Sequence, residues 1–264
     1  MSVKGLDRYK QLLKNISNWQ EYTFSKGQRK KRSLNFITRP HPIKFEVPDS
    51  LYQVFKEIFM EDFYEADKLM AKLPENPLII DVGANAGFFN VLLFSKLKRA
   101  RVFAYEPLPS NIKLFKKTID QNNSLKNIQL EQIAVTGINK ESIELFTEDT
   151  EENTVVSSVF SGFNKLNQKS ISVPAKSLTS IIETNNFQKI DLLKLDCEGS
   201  EYDIIYNTDS TILKKIDMMV IEVHEIDGER NNLKSLDQYL SSLGYKTRFL
   251  PVQEGSYYME VSKN

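Results

Sequence analysis

Short apolar segments alternate with amphipathic segments along most of the chain from Leu78 onward. Apolar runs of about four to eight residues predict buried strands, and apolar residues spaced three and four apart predict helices. The predicted strands cover residues 78–81, 101–105, 128–134, 190–195 and 217–223, and the predicted helices cover about 86–97, 109–122, 177–185, 200–207 and 231–243. Strands that alternate with helices favour an α/β fold with a doubly wound, mostly parallel sheet.

The residues before Leu78 follow a different pattern. Helical spacing of apolar residues predicts an amphipathic helix over residues 6–20. Two extended pieces, at 34–38 and 43–47, predict a hairpin, and a further helix is predicted after Pro48. This part of the chain is therefore interpreted as a helical and hairpin extension.

We divide the chain into an N-terminal extension, residues 1–75, and an α/β domain, residues 76–264. An insertion is predicted at about 136–176, beside the edge of the sheet that would carry the site. It contains three strand-like segments, at residues 142–146, 157–160 and 171–173. Two further segments, 245–250 and 257–261, predict a hairpin that closes the sheet.

Composition and charge limit the classes of partner. The 264 residues contain 35 acidic and 35 basic side chains, so no overall field draws the chain to nucleic acid or to a membrane. The basic tract at 26–32 is interpreted as a solvated loop. We find no secretory signal and no apolar run near the roughly 18 residues that a membrane span needs. The single cysteine, Cys197, excludes an internal disulfide, and a cytoplasmic location is expected.

The most informative motif follows the strand at 78–81 and reads Asp81-Val82-Gly83-Ala84-Asn85-Ala86-Gly87. Glycines at such a turn let the backbone approach a nucleotide-like ligand at a helix N-terminus. Asn85 occupies the place of the middle glycine in a dinucleotide-binding loop. Asp81 would repel a pyrophosphate and attract an ammonium or a sulfonium. The motif therefore favours S-adenosylmethionine (SAM) over NAD as the ligand.

An acid at the end of the next strand supports this interpretation. Glu106 lies 23 positions after Gly83, close to the offset of about 20 residues between a glycine turn and an acid that binds ribose. A carboxylate at this place can accept hydrogen bonds from the two hydroxyl groups of a ribose. Together, the turn and the acid predict a cofactor that contains adenosine.

Two later strands each end in groups capable of acid–base chemistry. Asp196, Glu198 and Glu201 follow the strand at 190–195, and Glu222 and His224 share one face at the end of the next. Crowded carboxylates are costly unless they bind something positive. The candidates for proton transfer or acceptor binding are therefore Asp196, Glu198, Glu201 and His224, and His224 with Glu198 is the leading pair. A magnesium or calcium ion bridging Asp196, Glu198 and Glu222 is an alternative.

Four stretches, residues 80–88, 105–107, 191–199 and 221–224, resemble the FkbM-type SAM-dependent methyltransferases. The resemblance covers roughly residues 40 to 250. It implies a Rossmann-like class I methyltransferase with a seven-stranded sheet, and an activity that methylates hydroxyl groups of sugars or natural products. The acceptor is then a small molecule or a saccharide, with no nucleic acid or membrane as partner.

The resemblance also implies roles for individual residues. Asp81, Gly83, Asn85 and Gly87 would form the loop beside the methionine part of SAM. Glu106 would bind the ribose hydroxyls. The adenine would be flanked by Ile133 and Ala134.

Other functions stay open at this stage. A nicotinamide oxidoreductase would use the same topology, although Asn85 argues against it. A nucleic-acid methyltransferase would explain the basic tract, but enzymes that methylate base amines have an N/D-P-P-Y/F turn where this chain has residues 196–199. A module that binds the donor without catalysis is a further alternative.

Overall fold

The protein is described from a computed structural model, which covers residue 3 and residues 5–25, 33–147, 157–158 and 169–263. The basic tract at 26–32 and Phe160 lie outside these residues. The helices are α1 (Asp7–Asn15), α2 (Gln20–Ser25), α3 (Tyr52–Phe59), α4 (Ala66–Lys72), α5 (Phe88–Lys96), α6 (Pro109–Gln121), α7 (Leu178–Thr184), α8 (Glu201–Asn207), α9 (Ser210–Leu213) and α10 (Leu233–Ser242).

The strands are β1 (Leu34–Ile37), β2 (Lys44–Val47), β3 (Leu78–Val82), β4 (Arg101–Tyr105), β5 (Ile128–Glu131), β6 (Ala134–Thr136), β7 (Ser142–Thr147), β8 (Ser157–Ser158), β9 (Lys169–Ser177), β10 (Leu192–Leu195), β11 (Met218–His224), β12 (Tyr245–Gln253) and β13 (Ser256–Lys263). Each strand predicted from the apolar runs is present in some form. Helices α2, α4 and α9 were not predicted.

The central element is a seven-stranded sheet in the order β12-β13-β11-β10-β3-β4-β5. Strands β5, β4, β3, β10 and β11 are parallel neighbours, and β13 runs antiparallel between β11 and β12. This confirms the doubly wound, mostly parallel α/β sheet and the closing hairpin. The chain order reverses between β3 and β10, and ligands of such folds bind at the carboxyl ends of the strands at this point.

Tertiary pairing shortened two of the predicted elements. The helix expected over residues 6–20 ends at Asn15, because Ile16 is fully buried and forms an isolated bridge with Thr38. The strand expected over 128–134 is divided. Its first part is β5 of the large sheet, and its continuation, β6, pairs in parallel with β9.

Strands β7, β8 and β9 of the predicted insertion form a four-stranded sheet with β6, in the order β6-β9-β7-β8. It has its own small apolar cluster, which includes Leu145 and Val173.

The N-terminal elements pack against the large sheet instead of forming a separate cluster. The hairpin β1–β2, which is confirmed, and helix α3 share one buried apolar cluster with α5. Phe59 of α3 stacks on Phe55 and on the hairpin's Phe45, and the Phe45 ring also meets Phe88 of α5 edge-on. This contact fixes α3 beside the carboxyl edge of the sheet.

No helix among the described residues is both long and apolar enough to cross a membrane.

Candidate active site

A cleft of about 840 Å³ opens at the carboxyl ends of the parallel strands, where the chain order reverses. The turns after β3, β4, β10 and β11 line its floor. Helix α3 contributes one wall, and the turn between β12 and β13 contributes another. Ile143 and Leu145 of the inserted sheet complete the lining. The site is therefore assembled from all parts of the described chain.

The loop after β3 depends on its glycines for packing. Gly83 has a φ of +73°, and a Cβ atom there would lie 1.7 Å from the carbonyl oxygen of Asp196. Gly87 has a φ of +81°, and its Cβ would lie 2.2 Å from the ring of Phe115. Gly83 and Asn85 line the cleft, whereas Gly87 packs beneath helix α5 against α6. The glycines thus allow strand, loop and helix to approach one another closely.

Glu106 is buried at the end of β4 and lines the cleft. Its Oε2 accepts a hydrogen bond of 2.8 Å from the backbone N–H of Asn85, and its Oε1 accepts one of 2.9 Å from Leu108. Burial raises the pKa of Glu106 to about 7, against the opposing effect of these hydrogen bonds. The turn after β3 and the acid after β4 therefore form one hydrogen-bonded unit.

Asp81 has a different environment from the one expected of a ligand-facing acid. Its side chain is fully buried, its Oδ1 lies 3.0 Å from the ammonium of Lys194, and its Oδ2 accepts a 2.5 Å hydrogen bond from Asn90. Burial raises its pKa, and the charge of Lys194 opposes this rise. The ammonium also donates to the carbonyl oxygen of Gly83 at 2.8 Å. Asp81 therefore supports the loop from below, and its role in cofactor binding stays a prediction.

Asp196 lies at the end of β10 on the floor of the cleft, and 26% of its side chain is exposed. Its Oδ2 accepts a 2.8 Å hydrogen bond from the hydroxyl of Tyr64 and lies 3.4 Å from the ammonium of Lys194. Burial by itself would raise the pKa of Asp196. The charge of Lys194 and the Tyr64 hydrogen bond lower it below the usual value. Asp196 is therefore an ionised group in this site.

His224 is held among three glutamates. Glu201 is fully buried, and its Oε1 accepts from the backbone N–H of His224 at 3.0 Å and lies 3.2 Å from the ring Nδ1. On the other side of the ring, Nε2 lies 3.4 Å from Glu198 and 3.6 Å from Glu222. Burial would lower the pKa of His224, but the glutamates raise it to about 10. The ring is therefore an imidazolium near neutral pH and cannot accept a proton there.

Glu198 faces the cleft from the tight turn after β10. Its φ is +51°, an uncommon conformation for a residue with a side chain, and Gly199 beside it also has a positive φ. Burial raises the pKa of Glu198 to about 8, which the charge of His224 partly opposes. Within the leading pair predicted from the sequence, Glu198 is thus the group whose pKa suits a proton acceptor.

Ile133 and Ala134 line the cleft between β5 and β6, next to the apolar side chains of the inserted sheet. Both are nearly buried, at 8% and 5% exposure. Glu201 is placed behind His224, beneath the cleft floor. The site residues predicted from the sequence are thus brought to one edge of the sheet, some in the lining and others directly below it.

Sequence reasoning missed the roles of Lys194, Tyr64 and Glu57. Lys194 lies in the otherwise apolar strand β10 and is 2% exposed. A lysine in a central strand needs a buried countercharge, which is the signal that could have identified it. Tyr64 and Glu57 line the cleft from the N-terminal side. Glu57 belongs to α3 and Tyr64 to the connection between α3 and α4, so the packing of these N-terminal elements brings both to the cleft.

Two cations of the chain itself, Lys194 and His224, lie among these carboxylates. Within the described ranges, no group of three or more His, Cys, Asp or Glu side chains has the arrangement of a metal site.

Comparison with known proteins identifies the family. A model of the methyltransferase FkbM domain matches residues 81–247. The chain is 24% identical over 212 residues to Methyltransferase sdnD of Sordaria araneosa, covering 69% of this chain and 78% of that protein. It is 26% identical over 209 residues to Methyltransferase 1 of Beauveria bassiana (strain ARSEF 2860), covering 73% and 80%.

A crystal structure of precorrin-6y C5,15-methyltransferase from Geobacter metallireducens GS-15 aligns with 78% of this chain and 89% of its own, with a TM-score of 0.46 and 11% identity. The family match spans more than half of the chain and includes the loop after β3, the acid after β4 and the carboxylates after β10. It confirms the resemblance noted from the motifs and favours a methyltransferase over an oxidoreductase. The chain belongs to the FkbM methyltransferase family and is a SAM-dependent methyltransferase.

Proposed function

We propose that this methyltransferase binds SAM in the cleft, beside the turns after β3 and β4, and methylates a hydroxyl group of a sugar or of another small natural-product-like molecule. One observation carries the donor site: the backbone N–H of Asn85 donates to Oε2 of Glu106 at 2.8 Å. This bond joins the glycine turn and the acid, so that both can contact one ligand. A carboxylate there can accept hydrogen bonds from both hydroxyls of a ribose.

The residues of the cleft fit SAM in size and in chemistry. The volume of about 840 Å³ is within the usual range of small-molecule sites, about 300–1,000 Å³. Gly83 and Asn85 would lie beside the methionine part, Glu106 would bind the ribose, and Ile133 and Ala134 would flank the adenine. When bound, SAM supplies a methyl group that is already activated by a sulfonium. The protein then needs to align the acceptor and remove its proton.

Glu198 is the best candidate to accept the proton of the acceptor hydroxyl. It lines the cleft, and its pKa of about 8 lets it be ionised at slightly alkaline pH and still hold a proton after transfer. His224, held by Glu201, places a positive charge 3.4 Å from the Glu198 carboxylate and stabilises it before the transfer. A base of this kind contributes about 10²–10⁴-fold to the rate.

The charge of the lining supports a small acceptor rather than a nucleic acid. Five glutamates line the acceptor side of the cleft: Glu57, Glu198, Glu222, Glu225 and Glu254. Nucleic-acid binding depends on basic contacts with the phosphate backbone, and Lys194, the one lysine or arginine among the described lining residues, is buried and ion-paired. A neutral polyol needs no such contacts and can form hydrogen bonds with these glutamates.

Isothermal titration calorimetry with SAM tests the donor site. We expect the wild-type chain to bind SAM, and Glu106→Ala to lose at least about tenfold in affinity because the ribose hydroxyls lose a charged hydrogen-bond acceptor. Glu131→Ala is the matched control, since Glu131 ends the neighbouring strand and its side chain is 39% exposed. Absence of SAM binding, unchanged binding in Glu106→Ala, or binding of NADH in its place would contradict the proposal.

The acceptor class is tested by incubating the enzyme with SAM and a panel of saccharides and small phenols, and detecting S-adenosylhomocysteine (SAH). We expect methyl transfer to an oxygen atom, with the rate lost in Glu198→Gln and SAM binding retained. A product methylated on nitrogen or carbon would refute O-methylation and leave the donor site standing.

A further inference from the structure

Tyr64 is a residue of the cleft that lies outside the range matched by the family model, residues 81–247. It belongs to the connection between α3 and α4 and is 3% exposed. Its ring packs edge-on against Phe89 of α5, with centroids 4.8 Å apart, and its hydroxyl donates to Oδ2 of Asp196 at 2.8 Å. A side chain from the N-terminal part of the chain thus reaches the centre of the sheet edge.

The connection that carries Tyr64 is fixed by contacts that do not involve Asp196. Asp62 Oδ1 accepts a 2.8 Å hydrogen bond from the backbone N–H of Ala66, and Glu65 forms ion pairs with Lys68 and Arg248. Both Asp62 and Glu65 have a positive φ, so the chain makes a tight, specific path here. The Tyr64 hydroxyl therefore reaches Asp196 from a scaffold that is already ordered.

The Tyr64 hydroxyl supplements a cation that Asp196 has to share. The ammonium of Lys194 lies 3.0 Å from Asp81 and 3.4 Å from Asp196, so its stronger contact is with Asp81. On the cleft side, His224 and Glu222 also lower the pKa of Asp196, after Lys194 and Tyr64. The hydrogen bond from Tyr64 acts in the same direction, and at 2.8 Å it fixes the orientation of the carboxylate.

The carboxylate that Tyr64 holds adjoins the glycine turn. The Asp196 backbone N–H donates to the carbonyl oxygen of Val82 at 3.2 Å, and the carbonyl oxygen of Asp196 lies 1.7 Å from the position that a Cβ on Gly83 would take. Under the proposed function, on which this inference rests, that turn lies beside the methionine part of SAM. We propose that Tyr64 is a positioning residue of the donor site, whose hydroxyl holds the Asp196 carboxylate toward the positive sulfonium of SAM.

The test compares SAM with SAH, because the two differ by the methyl group and the positive charge on sulfur. We expect Tyr64→Phe to weaken SAM binding about tenfold, and SAH binding less than about twofold, in calorimetry at pH 7.5. Tyr245→Phe is the matched control: Tyr245 is also buried, and its hydroxyl donates to the carbonyl oxygens of Leu213 and Ile216, away from the cleft. The control should leave the ratio of the two affinities unchanged.

A second variant makes the assignment independent of the folding of Tyr64→Phe. Asp196→Asn removes the charge that Tyr64 holds, so it should also reduce the preference for SAM over SAH. In the Asp196→Asn background, the Tyr64→Phe change should have no further effect on that preference. An equal loss for SAM and SAH, an unchanged ratio in either single variant, or additive effects in the double variant would overturn the proposal. Failure of the wild-type chain to bind either ligand would instead refute the proposed donor site.

Discussion

We expect the buried carboxylate of Glu106 to reduce the stability of the ligand-free protein at neutral and alkaline pH. Its pKa of about 7, against an ordinary value of 4.5, means that folding penalises the ionised form. Each pKa unit corresponds to about 1.4 kcal/mol, so the penalty approaches about 3 kcal/mol above pH 7. Because folding raises the pKa of this acid, the penalty is absent at pH 4, where Glu106 is protonated in both states. It grows as the pH rises above 4.5, the pKa in the unfolded chain, and is nearly complete above about pH 7.

The substitution that tests this is Glu106→Gln. The glutamine cannot ionise, but its amide nitrogen cannot accept one of the hydrogen bonds that Asn85 and Leu108 donate to the two carboxylate oxygens. That loss costs about 1 kcal/mol at every pH. We therefore expect Glu106→Gln to be less stable than the wild type near pH 4.5 and more stable by about 2 kcal/mol at pH 8.

Urea unfolding at several pH values between 5 and 8 measures the difference. The free energy of unfolding of Glu106→Gln relative to wild type should rise by about 2.5 kcal/mol across this interval, as linkage requires for this pKa change. SAM affinity of the variant should fall in parallel experiments. A difference in stability that does not depend on pH would refute the reasoning, because Glu106 would then titrate alike in the folded and unfolded chains.

Three further perturbations follow from the same geometry. Gly83→Ala places a Cβ 1.7 Å from a carbonyl oxygen, at a residue whose φ is +73°. Thermal unfolding should therefore show a loss of stability of about 3 kcal/mol or more. The control Gly228→Ala, where an added Cβ would have no atom within 4 Å, should leave the stability unchanged. Lys194→Met leaves the buried charge of Asp81 without its partner and should destabilise the protein by about 3–5 kcal/mol. Adding Asp81→Asn should restore part of this loss. If Lys194→Met were as stable as the wild type, the buried ion pair would not contribute as we infer. Because the pKa of His224 is raised to about 10 from an ordinary 6.5, its stabilising charge is fully present below pH 6.5 and is lost as the pH rises through 10. The His224→Gln variant should therefore lack that part of the alkaline loss of stability, and identical alkaline unfolding curves would count against the imidazolium.

The periodicity of apolar residues was sufficient to predict most of the α/β sheet. The strands at 78–82 and 101–105 and the closing hairpin are close to prediction, because central strands of parallel sheets are apolar on both faces and therefore stand out in a sequence. The expected strand at 128–134 was divided because its end pairs with β9, a partner more than thirty positions away that no local pattern identifies.

The predicted strands also indicated which residues belong to the candidate site. Gly83, Glu106 and Glu198 were found from the sequence because each lies at the end of a predicted strand, and parallel strands bring their carboxyl ends to one edge of the sheet. The charge state of His224 was not predicted: proximity to three glutamates makes it a cation, and only the distances reveal that proximity.

The sequence by itself therefore determined which strands end in the polar and acidic residues of the cleft, and the family to which the chain belongs. Only the tertiary structure decided that Lys194 neutralises Asp81 beneath the loop and that Tyr64 reaches Asp196 from the N-terminal part of the chain. The physical reason is the range of the interactions. Backbone periodicity is a local property of neighbouring residues, whereas burial and polar contacts join side chains that lie far apart in the chain, such as Tyr64 and Asp196, which are 132 positions apart.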